Sequence, residues 1–193
     1  MNRLLNDLLA YSRATTAQFA VEEVCVNDVL EGVVELVGAA AGFAIAITGD
    51  RVLMRTARVP LEHVVGNLLS NAIRHHDRTI GCVRVAVQAQ ASGVAITVTD
   101  DGPGIPPQYH QQVFQPFKTL RSRDVVETSG VGLAIVQKLV THYGGTIQLE
   151  SPFAAGRGTR FSLYWPGLPA DTEPAAPLPT SSPAERETAD LGV

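Results

Sequence analysis

"LEHVVGNLLSNAIRHHD", residues 61–77, carries two patterns at once. Leu61, Val64, Val65, Leu68, Leu69, Ala72 and Ile73 recur at i, i+3, i+4 and i+7, the spacing of a helix that buries one stripe. Asn67 and Asn71 stand four apart with Arg74 three further on, so the same helix places all three on one face, with His63 one turn before them. Two readings are open from this stretch alone. The polar row is the wet face of a half-buried helix, or it is a ligand row. In the second case two carboxamide oxygens one turn apart suit Mg2+, a cation that prefers oxygen, keeps several waters and leans on substrate phosphates for its charge balance. Arg74 then meets a phosphate oxygen.

Working outward, Pro60 falls at or just before the first turn of this helix, where a missing N–H costs nothing. Upstream, a helix is expected to start at Asn27 or Asp28, either a good N-cap, and to bury Val29, Leu30, Val33, Leu36 and Val37. A short extended segment follows at 43–48. Downstream, "VRVAVQAQ" and "GVAITVTD" are β-rich runs across a short polar link and predict an antiparallel hairpin. "VGLAIVQKLVTHYGG" predicts a helix with a Gly-Gly stop, and "TIQLES" and "TRFSLYW" predict two more strands joined through "PFAAGRG". The sum is an α/β sandwich in two layers: a mixed, mostly antiparallel sheet with helices on one face.

The chain has 193 residues, 45% of them hydrophobic, enough for one well-packed core. With 15 basic and 19 acidic residues its net charge is -4, which gives no electrostatic case for nucleic acid or an anionic membrane. Cys25 and Cys82 are far apart and fit no metal spacing, so a reducing, cytoplasmic setting is expected. No run approaches the length of a transmembrane helix, and "MNRLLNDLLAYSR" carries charge inside its apolar stretch, unlike a secretory signal. Three parts are expected: residues 1–21 as the end of a helix that packs on something else or a linker, 22–166 as the domain, and 167–193, rich in Pro, Ala, Ser and Glu, as a disordered tail.

Two glycine clusters complete the set. "TVTDDGPGIPPQ" places Asp100, Gly102 and Gly104 at a strand end in the pattern D-x-G-x-G, followed by Ile105. The glycines let backbone approach a ligand or take φ > 0, and a carboxylate there can accept from an exocyclic amine; a tight turn is the competing reading. "SGVGLAIVQKLV" sets Gly130, Val131, Gly132 and Leu133 at the start of an apolar helix, where unpaired N–H groups and the positive dipole end suit phosphate. A polar loop precedes it, possessing neither the strand of a Rossmann turn nor that of a P-loop, and Ser129 offers a simple N-cap. Between the clusters lie Lys118, Arg121 and Arg123, cations that can close over an anionic tail or form a solvated basic stretch.

In this order, the Asn helix, "DDGPG", "FQPF" and "SGVGLAI" resemble the N, G1, F and G2 boxes of the catalytic, ATP-binding domain of bacterial sensor histidine kinases. The resemblance covers about residues 24–166 and includes "GRGTRFSLYWP", similar to the family's closing G-x-G-T strand. It implies the Bergerat fold shared with gyrase, Hsp90 and MutL, and it implies ATP and Mg2+. By position, Asn71 matches the principal Mg2+-binding Asn, Asn67 the supporting Asn, and Arg74 a cation that meets phosphate. Asp100 matches the aspartate that reads the adenine amino group, with Gly102 and Gly104 shaping that wall. Phe114 and Phe117 match the F box, Gly130 and Gly132 the phosphate-side glycines, Thr159 a threonine near the adenine, and His75 an aromatic position beside the base.

Departures from the family pattern refine the expectation. Thr128 stands where the first G2 glycine is common. Asn67 stands where the gyrase-like and Hsp90-like ATPases put a water-activating Glu, which disfavours hydrolysis by a general base. "NRLLNDLLAYSR" resembles only the end of the second helix of a dimerisation hairpin, and His63, His75, His76, His110 and His142 lie in no acceptor-like context. The resemblance therefore implies transfer of the γ-phosphate to a histidine on a separate dimerisation domain, and from there to a response regulator, with no nucleic acid or membrane contact by this chain. The alternatives are an ATPase or an anti-sigma-type serine kinase of the same fold, or a nucleotide-sensing module without phosphotransfer.

Overall fold

A computed structural model describes residues 19–37, 42–118, 130–153 and 156–167. Along these the chain runs β1 (Val21–Cys25), α1 (Val26–Val37), β2 (Phe43–Gly49), β3 (Leu53–Ala57), α2 (Arg58–Arg74), β4 (Gly81–Gln90) and β5 (Gly93–Asp100). Two 3-10 turns (Pro107–Tyr109 and Gln112–Phe114) precede α3 (Gly132–His142), β6 (Thr146–Glu150) and β7 (Arg160–Pro166). The segment expected to end a dimerisation helix and the expected tail lie outside the described residues, apart from their inner edges.

Alternation builds the sheet. Every second residue is buried along β4 (Val83, Val85, Val87), β5 (Val94, Ile96, Val98) and β7 (Phe161, Leu163, Trp165), while Arg84, Ala86 and Gln88 between the β4 valines are exposed. The strands lie in the order β2-β4-β5-β7-β6. β2 and β4 are parallel and the other neighbours antiparallel. The expected hairpin is present, with Gln90 paired to Gly93 around its two-residue turn. All three helices cover the buried face: Val29, Leu30 and Val33 of α1, the Leu61 to Leu69 stripe of α2, and Val136, Leu139 and Val140 of α3 share one core with the strands. The fold is the two-layer α/β sandwich expected, with a mixed, mostly antiparallel sheet.

Three local expectations need correction. α1 begins at Val26, so Asn27 is inside the helix and not its cap. Its Oδ1 instead accepts from the Val52 N–H at 3.1 Å while the Val26 N–H donates to the Val52 carbonyl at 2.8 Å, so the asparagine stitches α1 to the chain entering β3. Leu36, expected in the core, is 84% exposed. α3 starts at Gly132 with Val131 as a cap residue that supplies no side-chain bond; Ser129, expected as cap, lies outside the described residues. A small antiparallel sheet of β1 and β3 was not expected at all.

That small sheet is joined to the main core by a buried bond. Trp165, fully enclosed on β7, donates its indole N–H to Thr56 Oγ1 on β3 at 2.7 Å and stacks on Tyr143 with centroids 5.0 Å apart. Thr56→Val keeps the shape and strands the indole N–H, so it is expected to cost about 1–3 kcal/mol of unfolding free energy in a urea titration with an unchanged slope. An unchanged midpoint would remove this bond from the account.

Candidate functional site

Once α2 has buried its apolar stripe, Asn67 and Asn71 fall on its half-buried flank. The Asn67 Nδ2 donates to the His63 carbonyl at 2.8 Å, which leaves its Oδ1 aimed away from the helix. Opposite stands Gly132, the first residue of α3. A Cβ there would lie 2.8 Å from Asn67 Oδ1 and 3.9 Å from Asn71 Oδ1, so both carboxamide oxygens converge on the start of α3, and a side chain there would displace the Asn67 oxygen. The first-turn N–H groups of α3 take no side-chain cap, and they bring the positive end of the helix dipole to the same place. Arg74 is exposed on the next turn of α2.

The ends of the connection between the F box and α3 meet nearby. The Phe117 N–H donates to the Gly130 carbonyl at 2.8 Å, and both residues have left-handed backbones, at φ 65 and φ 67. Lys118 is exposed at the start of that connection; Arg121, Arg123 and Thr128 lie outside the described residues. Phe114 packs edge-on against Phe161 at 6.3 Å, and Val131 is fully buried.

Asp100 ends β5 in a second nest of bonds. Its Oδ1 accepts the N–H groups of Gly102 (2.9 Å) and Thr159 (3.2 Å), and its own N–H donates to the Thr159 carbonyl at 2.9 Å. Both bonds end on Oδ1, which leaves Oδ2 to an incoming donor. Burial pushes the Asp100 carboxyl above the usual range, against the pull of the two N–H bonds. The Gly102 carbonyl accepts from the Gly158 N–H at 2.8 Å, and a Cβ on Gly158 would come 2.4 Å from the Asp100 carbonyl. Gly104 has φ 77, and the Ile105 N–H after it donates to Ser151 Oγ at 2.7 Å. Ser151 Oγ in turn donates to the Gly158 carbonyl at 2.9 Å and lies 3.3 Å from Thr159 Oγ1.

The sequence-derived candidates therefore gather in two groups: Asn67, Asn71 and Gly132 with Gly130 and Val131 behind them, and Asp100, Gly102, Gly104, Ile105 and Thr159. His75 caps the C-terminus of α2 between them, its N–H donating to the Asn71 carbonyl. Ser151, Asp101, Arg157 and His76 belong to the second group's support and were not singled out from sequence. Among the described residues no group of three His, Cys, Asp or Glu side chains is arranged to hold a metal ion; the donors that suit a hard cation are the two converging carboxamides. Neutral oxygens of this kind fit Mg2+ that brings polyphosphate with it better than a free divalent ion. No described helix is long and apolar enough to cross a membrane.

With that geometry in place, comparison with known proteins is direct. The family model for the histidine kinase-, DNA gyrase B- and HSP90-like ATPases matches residues 56–169. The C4-dicarboxylate transport sensor protein DctB of Rhizobium meliloti is 33% identical over 78% of this chain and 24% of its own length. The signal transduction histidine-protein kinase/phosphatase MprB of Mycobacterium avium is 31% identical over 99% of this chain and 41% of its own length. The chain thus spans less than half of either curated relative. The solved structure of a mycobacterial sensor histidine kinase MprB superposes with a TM-score of 0.66 at 28% identity, covering 78% of this chain and 99% of that one. The fold and these matches agree: the chain belongs to the histidine kinase-, DNA gyrase B- and HSP90-like ATPase family, as a catalytic ATP-binding domain of the sensor histidine kinase type.

Proposed function

We propose that this domain holds Mg2+·ATP with its base at Asp100 and its phosphates between α2 and the start of α3, and passes the γ-phosphate to a histidine on a dimerisation domain. The convergence of Asn67 Oδ1 and Asn71 Oδ1 on the first residue of α3 carries the proposal. It joins cation donors, the N-terminal N–H groups of a helix and a positive dipole end at one place. On this reading Asp100 Oδ2 accepts from the adenine amino group, while Gly102, Gly104, Ile105 and Thr159 form the wall and His75 lies beside the base. Asn71 and Asn67 hold the cation, which when bound neutralises charge on the phosphates. Arg74 and Lys118, with Arg121 and Arg123, contact the phosphate tail, and Gly130, Val131, Gly132 and Leu133 frame it.

The reaction then needs positioning more than chemistry from the protein. The acceptor imidazole brings its own lone pair to the γ-phosphorus, the bond from that phosphorus to the β–γ bridging oxygen breaks, and ADP leaves. Asn at 67 supplies no base for water, which favours this transfer over hydrolysis. The segment before β1 would be the end of the dimerisation helix or a linker, the domain would work on the cytoplasmic side, and a response regulator would be the final acceptor.

Incubation with labelled ATP and a dimerisation domain of this kinase type is expected to give acid-labile, base-stable phosphate on that domain. Phosphoserine, or release of inorganic phosphate alone, would reject the transfer. Asn71→Ala should weaken Mg2+·ATP binding by at least about tenfold in calorimetry, and unchanged affinity would sink the metal assignment. Asp100 predicts a pH effect whose sign is fixed. The ionised carboxylate accepts the adenine amino proton, so affinity is full above the raised folded pKa and falls as pH drops through it, at a higher pH than for an ordinary Asp. Inorganic tripolyphosphate should not show that loss, and Asp100→Asn should abolish it.

A further inference from the structure

Behind the Asp100 turn lies a cluster that the proposed nucleotide contacts leave unused. The His76 side chain, two residues beyond the end of α2, is 0% exposed. Its ring lies between two glycines: a Cβ on Gly81 would come 2.8 Å from Nε2, and one on Gly102 would come 3.3 Å from Cδ2. Phe43 meets the ring edge-on at 5.2 Å. Both ring nitrogens are engaged. The Arg78 N–H donates to Nδ1 at 3.0 Å, so Nδ1 holds a lone pair and the proton sits on Nε2. Nε2 donates to Asp101 Oδ1 at 3.1 Å, and the same oxygen accepts the Cys82 N–H at 2.8 Å. Burial works against the Asp101 carboxylate, yet the Cys82 N–H and His76 hold it below the usual range. A second strap runs outside: Arg157 Nη2 donates to Asp77 Oδ1 at 2.8 Å and to the Asp101 carbonyl at 3.3 Å.

We infer that His76 is a positioning residue for adenine recognition: through its Nε2–H bond to Asp101 it fixes the Asp100–Gly104 turn against the end of α2. On the β7 side that turn is held by the Asp100–Thr159 and Gly102–Gly158 bonds; on the helix side His76 supplies the buried tether, inside the exposed Arg157 strap. Because α2 also carries Asn71, five residues before His76, the tether sets the spacing between the base end and the phosphate end of the site. The inference rests on the reading of Asp100 as the adenine contact.

The two ring nitrogens can be tested separately. Glutamine places an N–H near the position of Nε2, and asparagine places an acceptor near that of Nδ1. His76→Gln should therefore keep the Asp101 bond, and His76→Asn should keep only the Arg78 bond. With folding checked by thermal melting, His76→Asn is expected to lose about tenfold in ATP affinity, the equivalent of one charge-assisted bond, while Mg2+·tripolyphosphate binding holds and His76→Gln stays near the starting protein. Equal losses of ATP and tripolyphosphate, or full ATP affinity in folded His76→Asn, would overturn the inference. So would 15N spectra of the imidazole with the proton on Nδ1. Asp100→Asn, run alongside, isolates the premise: if it costs ATP no more than tripolyphosphate, the adenine reading fails. The tether is then decided by the amide resonances of Gly102 and Cys82, which must move in His76→Asn and stay in His76→Gln; movement in neither overturns it.

Discussion

The asparagine end of the site depends on how α2 packs. Leu61, Val64, Val65, Leu68 and Leu69 are almost fully buried against the Val83, Val85, Ile96 and Val98 face of the sheet. At roughly 25 cal/mol per Å2 of apolar surface, each such side chain contributes on the order of 1.5–3 kcal/mol. A helix with that stripe pinned has no freedom to rotate, so the residues a third of a turn away are pinned as well. Asn67 and Asn71 are held on the flank by the hydrophobic contacts of their neighbours, and the ordering of their carboxamides is a by-product of core formation. Gly132 completes the device, since a Cβ there would crowd the Asn67 oxygen at 2.8 Å and displace it.

The other end of the site is built differently. The Asp100 turn is held by backbone bonds to the Gly158–Thr159 segment, by Ser151, and by the His76–Asp101 pair. Such a turn depends on the satisfaction of each polar group, because an unpaired buried donor or acceptor costs more than a made bond contributes. Packing therefore sets one half of the site and a polar network the other. The chain after α2, through His76, Asp77 and Arg78, is where the two are joined.

What the sequence displayed and what it hid divide along the same line. α2, the β4–β5 hairpin and the α3-β6-β7 run were legible because their apolar periods are local and strong, and Gly144 at φ 76 ends α3 as its position suggested. β1 and β3 were not, because Glu22, Glu23 and Arg55 interrupt any alternation and the two strands find each other across α1 and β2. The start of α1 was misplaced because the Asn27 oxygen serves Val52 rather than its own helix. At the site, the Asn row and the glycine turns were visible as spacings. His76, Asp101 and Arg157 were not, since their partners lie 25 and 80 residues away and no local pattern records such a bond. The only hint was a second histidine and a second aspartate, each beside a residue already of interest.

The central claim is that one nucleotide spans both groups, with its cation at the asparagines and its base at Asp100. The most direct measurement is a pair of amide NMR spectra of this chain with Mg2+·ATP and with paramagnetic Mn2+·ATP. The account predicts that Mg2+·ATP shifts resonances at both ends, and that Mn2+ selectively broadens Asn67, Asn71 and Gly132 while Gly102 and Thr159 stay shifted and much sharper. Broadening centred away from the asparagines, or ATP-induced shifts that never reach Gly102 and Thr159, would contradict it.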